Sequence, residues 1–354
     1  MASNPLLRQK EKEILVSVVI TTYNRCEALK ETLRALSHQT LAPERYEILV
    51  VDNGCSDATS SFLAGCRLPC ALKTFREPQN VGISAARNIA IRNARGRFII
   101  FVSDDLIVPE NFIDSHVETL EKFHGYWVVG GFQQLTSLTE TPFGRYLDHL
   151  EKTFEEARKS APLGPNMWEM SCPTARNLSV PRADLERIGL FDEQFRNSCE
   201  DQDLAHRASK IGIRFLYNTA ISCLHNDQSG ELKRYCQAQR RGAHDTVFFC
   251  AKYQEVHGGA AIARVNGYVS LSDGPTLILK KLVKSALVTR PTVTLIERTI
   301  LLTERIRVPE STLWNLYRML LGLYIFRGWR EGLETLKQRD TLPDAHSIGC
   351  HPNL

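Results

Sequence analysis

Nowhere does this sequence hold eighteen uncharged apolar residues in a row, and the stretch Leu277 to Val288 is interrupted by Lys280, Lys281 and Lys284. A membrane-spanning helix is therefore not expected. The apolar run Ile14 to Ile20, after the polar and basic Met1 to Glu13, is seven residues long, too short for the core of an export signal with its cleavage site. The ten cysteines include no CxxC pair, Cys66 and Cys70 being three residues apart, so a structural zinc site has little support. Scattered through a long chain without an export signal, they are expected as reduced, mostly buried thiols. Low-complexity linkers and internal repeats are also missing. Between Thr21 and Arg25, after the first apolar run, there is no glycine, which counts against a Gly-rich phosphate loop.

What is present is core material. With 354 residues, 43% hydrophobic and 24% charged, the chain suits one large domain or two ordinary ones, and disorder is not the default. The formal charge of +4 is uneven: residues 231 to 354 carry 18 Lys/Arg against 11 Asp/Glu, or +7, leaving −3 for residues 1 to 230. Such a surplus fits an anionic partner, with a membrane surface, a lipid-linked phosphate or nucleic acid as candidates, or simply a solvated helical surface.

Hydrophobic patterning divides the chain into a 14-residue extension, a region over residues 15–229 and a region over 230–354. In the first of these regions β-branched runs alternate with helical periodicity: strands at Val16 to Ile20, Tyr46 to Val51, Ala71 to Phe75 and Phe98 to Val102, and helices at Cys26 to Gln39, from Ser56 or Asp57, and at Ile83 to Ala94. Continuous apolar strands in β-α order imply an α/β fold, a mostly parallel sheet with helices on both faces. A helix from about Pro109 to Phe123, a strand Trp127 to Gln133, a polar segment to Asn166, a strand Ala175 to Pro181 and a strand Ile213 to Leu224 follow. From Glu231 the chain reads as mainly helical. There, Trp314 to Phe326 suits a buried docking helix first and a membrane-surface helix second.

Ligands of parallel sheets bind at the strands' carboxyl ends, and the polar residues gather there: Thr21-Thr22-Tyr23-Asn24, Asp52-Asn53 and Ser103-Asp104-Asp105. Adjacent carboxylates after a buried strand can hold a divalent metal against phosphate oxygens; the same pair also serves as a turn or helix N-cap. Asp52-Asn53-Gly54 is likewise a good turn sequence. Glu200-Asp201-Gln202-Asp203 opens a helix, so it reads as N-terminal capping or as a cluster of acids available for proton transfer.

Seven blocks stand in one order: VSVVITTYNR, ILVVDNGCSD, NVGISAARNIAIRNARG, FVSDD, GLFDEQF, EDQDLAHRASKIG and LHN. In order and spacing they resemble the family 2 glycosyltransferases of the GT-A, Rossmann-like fold, over about residues 15 to 227. That resemblance implies inverting transfer of a sugar, as a hexosyl or N-acetylhexosaminyl group, from a nucleoside-diphosphate donor, UDP-linked in preference, to a hydroxyl of a glycan, lipid-linked or small-molecule acceptor. It makes Asp105 a ligand of Mn²⁺ or Mg²⁺ and puts Asp104 at the ribose or the metal's waters; Ser103 stands where many relatives have a further Asp. His225 resembles a third ligand, and its imidazole tilts the choice toward Mn²⁺; otherwise it is a polar strand terminus. Thr22, Tyr23 and Asn24 would line the nucleoside, Asp52 would accept from the base imide or ribose, and Arg87 would reach the base or diphosphate unless it lies on a solvated helix face. Asp201 matches the catalytic base, with Glu200 positioning it or the acceptor, and Asp203 as a helix-supporting acid or alternative base. Gln239-Arg240-Arg241-Gly242 loosely matches a Gln/Arg-rich helix near the diphosphate or acceptor.

By this reading the chain works on the cytosolic side in polysaccharide or glycoconjugate synthesis, with the C-terminal region touching an anionic membrane peripherally and no nucleic acid as partner. A nucleotidyltransferase and a catalytically silent scaffold of a polysaccharide assembly complex are the rivals. The glycine-free Thr21 to Arg25 opposes the first, and the retained acids oppose the second.

Overall fold

The computed structural model describes residues 13–226, 231–254, 257–270, 272–306 and 308–339. They form two compact units: the first takes the described residues of Met1–Thr139, Leu147–Arg196 and Glu200–Gln228, the second those of Glu140–Tyr146, Asn197–Cys199 and Ser229–Leu354.

A ten-stranded sheet forms the first unit. β1 (Val16–Thr22), α1 (Cys26–Leu36), β2 (Tyr46–Asp52), α2 (Thr59–Gly65), β3 (Ala71–Arg76), α3 (Ile83–Asn93) and β4 (Phe98–Val102) follow one another as the alternation predicts. The four strands run parallel in the order β3-β2-β1-β4. β1, β2 and β4 are apolar almost throughout because both faces are covered. Val16, Val18 and Ile20 of β1 share one cluster with Phe98, Ile100 and Val102 of β4 and Leu29, Leu33 and Leu36 of α1. On the opposite face Val19, Ile99 and Phe101 meet Ala86, Ala90 and Ile91 of α3. Each such aliphatic side chain, fully buried, contributes about 1.5–3 kcal/mol.

β5 (Leu106–Ile107), α4 (Phe112–Lys122), β6 (Tyr126–Gln134), α5 (Thr136–Thr139), α6 (Pro142–Arg158), β7 (Lys159–Gly164), β8 (Met167–Met170), β9 (Asn177–Pro181), α7 (Arg182–Ile188), α8 (Glu200–Lys210) and β10 (Arg214–His225) follow. This half is mixed: β6 and β10 are parallel, but β9 opposes both β4 and β6, and β8 opposes β7 and β10. The chain leaves β6 at the carboxyl edge of the parallel strands and returns into β9 from that same edge, so β9 must run backwards. The expected polar segment to Asn166 needs correction, since it holds α5, α6 and β7, the strand that pairs with β8 just beyond it. Phe143, Gly144 and Tyr146 of α6 are buried, and its apolar residues Phe143, Tyr146, Leu147, Leu150 and Phe154 recur at helical spacing, a pattern that the polar-segment reading overlooks.

Helices make up the second unit: α9 (Leu232–Lys252), α10 (His257–Asn266), α11 (Pro275–Leu287), α12 (Arg290–Arg305) and α13 (Glu310–Arg339). Leu313, Tyr317, Leu320, Leu323, Phe326 and Trp329 of α13 are buried, and Tyr317 packs 5.1 Å from the Phe143 ring, as the docking-helix reading predicts. α9 and α13 approach closely at Gly328, where a Cβ would fall 1.9 Å from the Arg240 carbonyl oxygen. Arg240 itself donates to Glu331 at 2.6 Å. Among the described residues no helix is long and apolar enough to cross a membrane, and every described cysteine is a free thiol.

Candidate active site

Parallel pairing aligns the carboxyl ends of β1 and β2, with Thr22 opposite Asp52, and β4 delivers Ser103-Asp104-Asp105 at the same edge. The backbone then joins distant acids. Ser103 N–H donates to the Arg176 carbonyl at 2.9 Å, and the preceding residue's N–H, that of Ala175, donates to Asp201 Oδ2 at 2.9 Å. Asp201 is thus tied to the segment that carries the Asp104–Asp105 loop. Asn177 anchors this segment: its Nδ2 donates to the Gly131 carbonyl at 3.1 Å, and its Oδ1 lies 2.8 Å from His116 Nε2.

Asp104 and Asp105 are both buried and share the Arg25 guanidinium, which donates to Asp104 at 3.2 Å and also to Asp105. Burial, with the charge of Asp105, raises the Asp104 carboxyl to about 6 despite Arg25. Burial pushes Asp105 up too, but the hydrogen bond and charge of His225, with Arg25 and Arg176, outweigh it and hold the carboxyl at about 2. Asp105 Oδ2 is 3.4 Å from His225 Nε2, and Oδ1 is buried with no hydrogen-bond partner. The 3.4 Å between Asp105 Oδ2 and His225 Nε2 is near the roughly 3 Å that separates two ligands of one divalent cation, and Oδ1 of the same carboxylate has no hydrogen bond to give up. Gln134 lies 3.0 Å from His225 Nδ1, the kind of outer contact that orients a ligating imidazole. Among the described residues no group of three His, Cys, Asp or Glu could hold a metal ion, which leaves Asp105 and His225 as the pair that could contribute to one.

At the carboxyl ends of β1 and β2, Asp52 accepts from Cys55 N–H at 2.8 Å and from the Ser60 hydroxyl, the turn role its sequence allows. Asn24, at φ +55°, accepts from Ser56 N–H at 2.7 Å, which ties the loop after β1 to the loop after β2. Asn53 Oδ1 accepts from Val81 N–H at 2.9 Å and so draws in the loop before α3. Between these loops, Thr22 Oγ1 is buried without a partner and Tyr23 is 47% exposed.

Arg87, which the resemblance puts at the base or diphosphate, lies against the acids of α8: its Nη1 donates to Glu200 at 2.9 Å and to Asp201 at 3.2 Å, while the guanidinium sits 5.1 Å from the Phe191 ring centre. It is buried, so the solvated-face alternative is excluded. Neighbouring Asn88 fixes the loop that carries Phe191, accepting its N–H at 3.0 Å and donating to its carbonyl at 2.9 Å. Burial first, then the charge of Asp201, pushes Glu200 up to about 7 against the pull of Arg87. Asp203 is fully buried and bonded to Arg207 at 2.7 Å, which suits the helix-supporting role.

Sequence reasoning passed over Arg25, Gln134 and Arg176. Arg176 stacks 4.1 Å from the Phe132 ring and Phe132 lies 5.5 Å from His225, so one aromatic links the cation to the imidazole. Only Arg25 carried a signal, as the last residue of the VSVVITTYNR block.

A family model described as glycosyl transferase family 2 matches residues 17–174. The chain is 28% identical over 282 residues to the uncharacterized glycosyltransferase YfnE of Bacillus subtilis, spanning 68% of this chain and 71% of that one. It is 30% identical over 199 residues to YwdF of the same organism, spanning 55% and 68%. Among solved structures, the mannosyltransferase PcManGT from Pyrobaculum calidifontis, in complex with GDP-Man and Mn²⁺, superposes with a TM-score of 0.57 at 17% identity, over 89% of this chain and 87% of that one. With the seven blocks, the GT-A sheet and these matches together, the chain belongs to glycosyltransferase family 2.

Proposed function

We propose that this chain is an inverting, metal-dependent glycosyltransferase that moves a sugar from a nucleoside-diphosphate donor, UDP-linked in preference, to a hydroxyl of a glycan, lipid-linked or small-molecule acceptor of a cell-surface polysaccharide or glycoconjugate. One observation carries the reading: Asp201, bonded to Ala175 N–H at 2.9 Å, is tied through Arg176 to the Ser103-Asp104-Asp105 loop. Family membership removes the nucleotidyltransferase alternative, and the intact acids oppose a silent scaffold.

Inversion is a single displacement. The acceptor oxygen attacks the anomeric carbon, the bond to the diphosphate breaks, and a base takes the hydroxyl proton as the new bond forms. Asp201 is oriented for that task, since Ala175 N–H holds one of its oxygens and Arg87 the other, each oxygen keeping a further lone pair. Glu200, raised to about 7 by burial and by the charge of Asp201, resists ionisation near neutrality, and Arg87 lies against both carboxyls to offset their charge. Asp105 and His225 would hold the divalent cation, which supplies positive charge to the departing diphosphate. Thr22, Tyr23, Asn24, Asp52 and Asp104 remain the proposed contacts of the nucleoside and ribose, with Thr22 Oγ1 unpartnered and Tyr23 exposed.

The test is the Asp201→Asn variant, assayed for nucleotide release and product with UDP-, GDP- and dTDP-sugars and Mn²⁺. PcManGT resembles this chain in fold, and its GDP-Man makes a purine donor the second arm. Thermal shift by the preferred donor should be nearly unchanged in the variant while transfer disappears. Undiminished turnover would refute Asp201 as base, and a wild-type chain that responds to none of the donors would refute the whole reading.

A further inference from the structure

In the second unit, α11 is amphipathic in the reverse sense. Its inward stripe carries Lys281, bonded to the Tyr268 carbonyl at 2.8 Å and to Asp273 at 2.6 Å, and Lys284, bonded to Asn266 at 2.9 Å. Its outward stripe, at helical spacing, is Leu279, Leu282, Val283 and Ala286, with Leu279 62% and Leu282 55% exposed. α12 repeats the pattern: Leu295, Thr299, Leu302 and Ile306 follow one another at turn spacing, and Leu295, Leu302 and Ile306 are each more than 60% exposed. Apolar faces of this size are not left in water without a partner.

Charge selects the partner. Every exposed charge over residues 275–306 is positive: Lys280, Arg290, Arg298 and Arg305. The two acids of that stretch turn toward α13, where Glu297 accepts from the Tyr324 hydroxyl at 2.5 Å and Glu304 from the Tyr317 hydroxyl at 2.6 Å. A second copy meeting this face with its own would bring like charges together. An anionic bilayer meets both demands, taking the leucines below the headgroups and the cations at them. We propose that α11 and α12 are a docking surface for an anionic phospholipid bilayer. This deepens the peripheral membrane contact expected of the C-terminal region and moves it from Trp314–Phe326, whose apolar residues are largely buried in α13, to the two preceding helices. It does not depend on the glycosyl-transfer reading, because the readout is binding.

Flotation of the full chain with phosphatidylcholine vesicles, and with vesicles about one-third phosphatidylglycerol, tests it. At roughly fivefold in partitioning per surface cation, four cations predict a preference for the anionic vesicles on the order of a hundredfold or more. Arg298→Glu with Arg305→Glu should erase that preference. Leu282→Ser with Leu302→Ser should cut binding at least about tenfold with the melting temperature unchanged, since both side chains are exposed. Absence of binding, equal binding to both vesicles, or indifference to both double variants would overturn the proposal. So would sedimentation equilibrium showing a dimer that the Leu282/Leu302 variant dissociates, which would assign the face to a second copy.

Discussion

Replacing Glu200 with Gln should stabilise the protein above neutral pH and leave it unchanged in mild acid. Glu200 is 6% exposed, and its carboxyl is raised from 4.5 to about 7 by burial and by Asp201, with Arg87 opposing. The folded chain therefore holds a proton that the unfolded chain releases between those two values, so the native state loses stability as pH rises from about 4.5 to about 7. At 1.36 kcal/mol per pKa unit, the full penalty above pH 7 is about 3 kcal/mol, as an order of magnitude. Gln mimics the protonated side chain, keeps an oxygen for Arg87 and has no proton to lose. The difference in stability between Glu200→Gln and wild type should be near zero at about pH 4 and should grow to about 3 kcal/mol by about pH 8, a melting shift of roughly 6–12 °C for a domain of this size. Thermal melts of both proteins across that range measure it. In an Asp201→Asn background the gain should shrink, because the second cause of the shift is gone. A variant destabilised equally at every pH, or favoured in acid rather than base, would refute the assignment of Glu200 as the proton-bearing member of the pair.

Three further outcomes follow from the geometry. His225→Ala should abolish the Mn²⁺-dependent part of the thermal shift produced by the donor nucleotide and leave the metal-free part in place; a shift that still responds to Mn²⁺ would exclude His225 as a ligand. Gly328→Ala should lower stability by about 1–3 kcal/mol or more, because its Cβ would sit 1.9 Å from the Arg240 carbonyl oxygen between two helix backbones. Gly322→Ala on the same helix, with nothing within 4 Å, should raise stability by roughly 0.5–1 kcal/mol, and paired thermal melts decide both.

Local chemistry made the parallel half of the sheet legible. Val16 to Ile20, Tyr46 to Val51 and Phe98 to Val102 are apolar at every or nearly every position because each is covered on both sides, and the polar residues after them fall at one edge because parallel strands end together. The antiparallel return through β9 was not legible, since its direction follows from where α6 and the β7–β8 hairpin leave the chain, which no local pattern states. The residue types of the site were likewise readable, but their partnerships were not. Asp52 reads equally as turn and as ligand until Cys55 and Ser60 are seen to bond its two oxygens. Arg87 stands in α3, yet its guanidinium lies on Glu200 and Asp201, more than a hundred residues on. Gln134 and Arg176 acquire meaning only from what they touch. Sequence by itself determined which acids exist, at which strand or helix ends, and hence the family. Tertiary structure alone decided which carboxylate is paired, which keeps its proton and which is left with an unshared oxygen, because burial and the nearest charge set those properties, and neither is local in sequence.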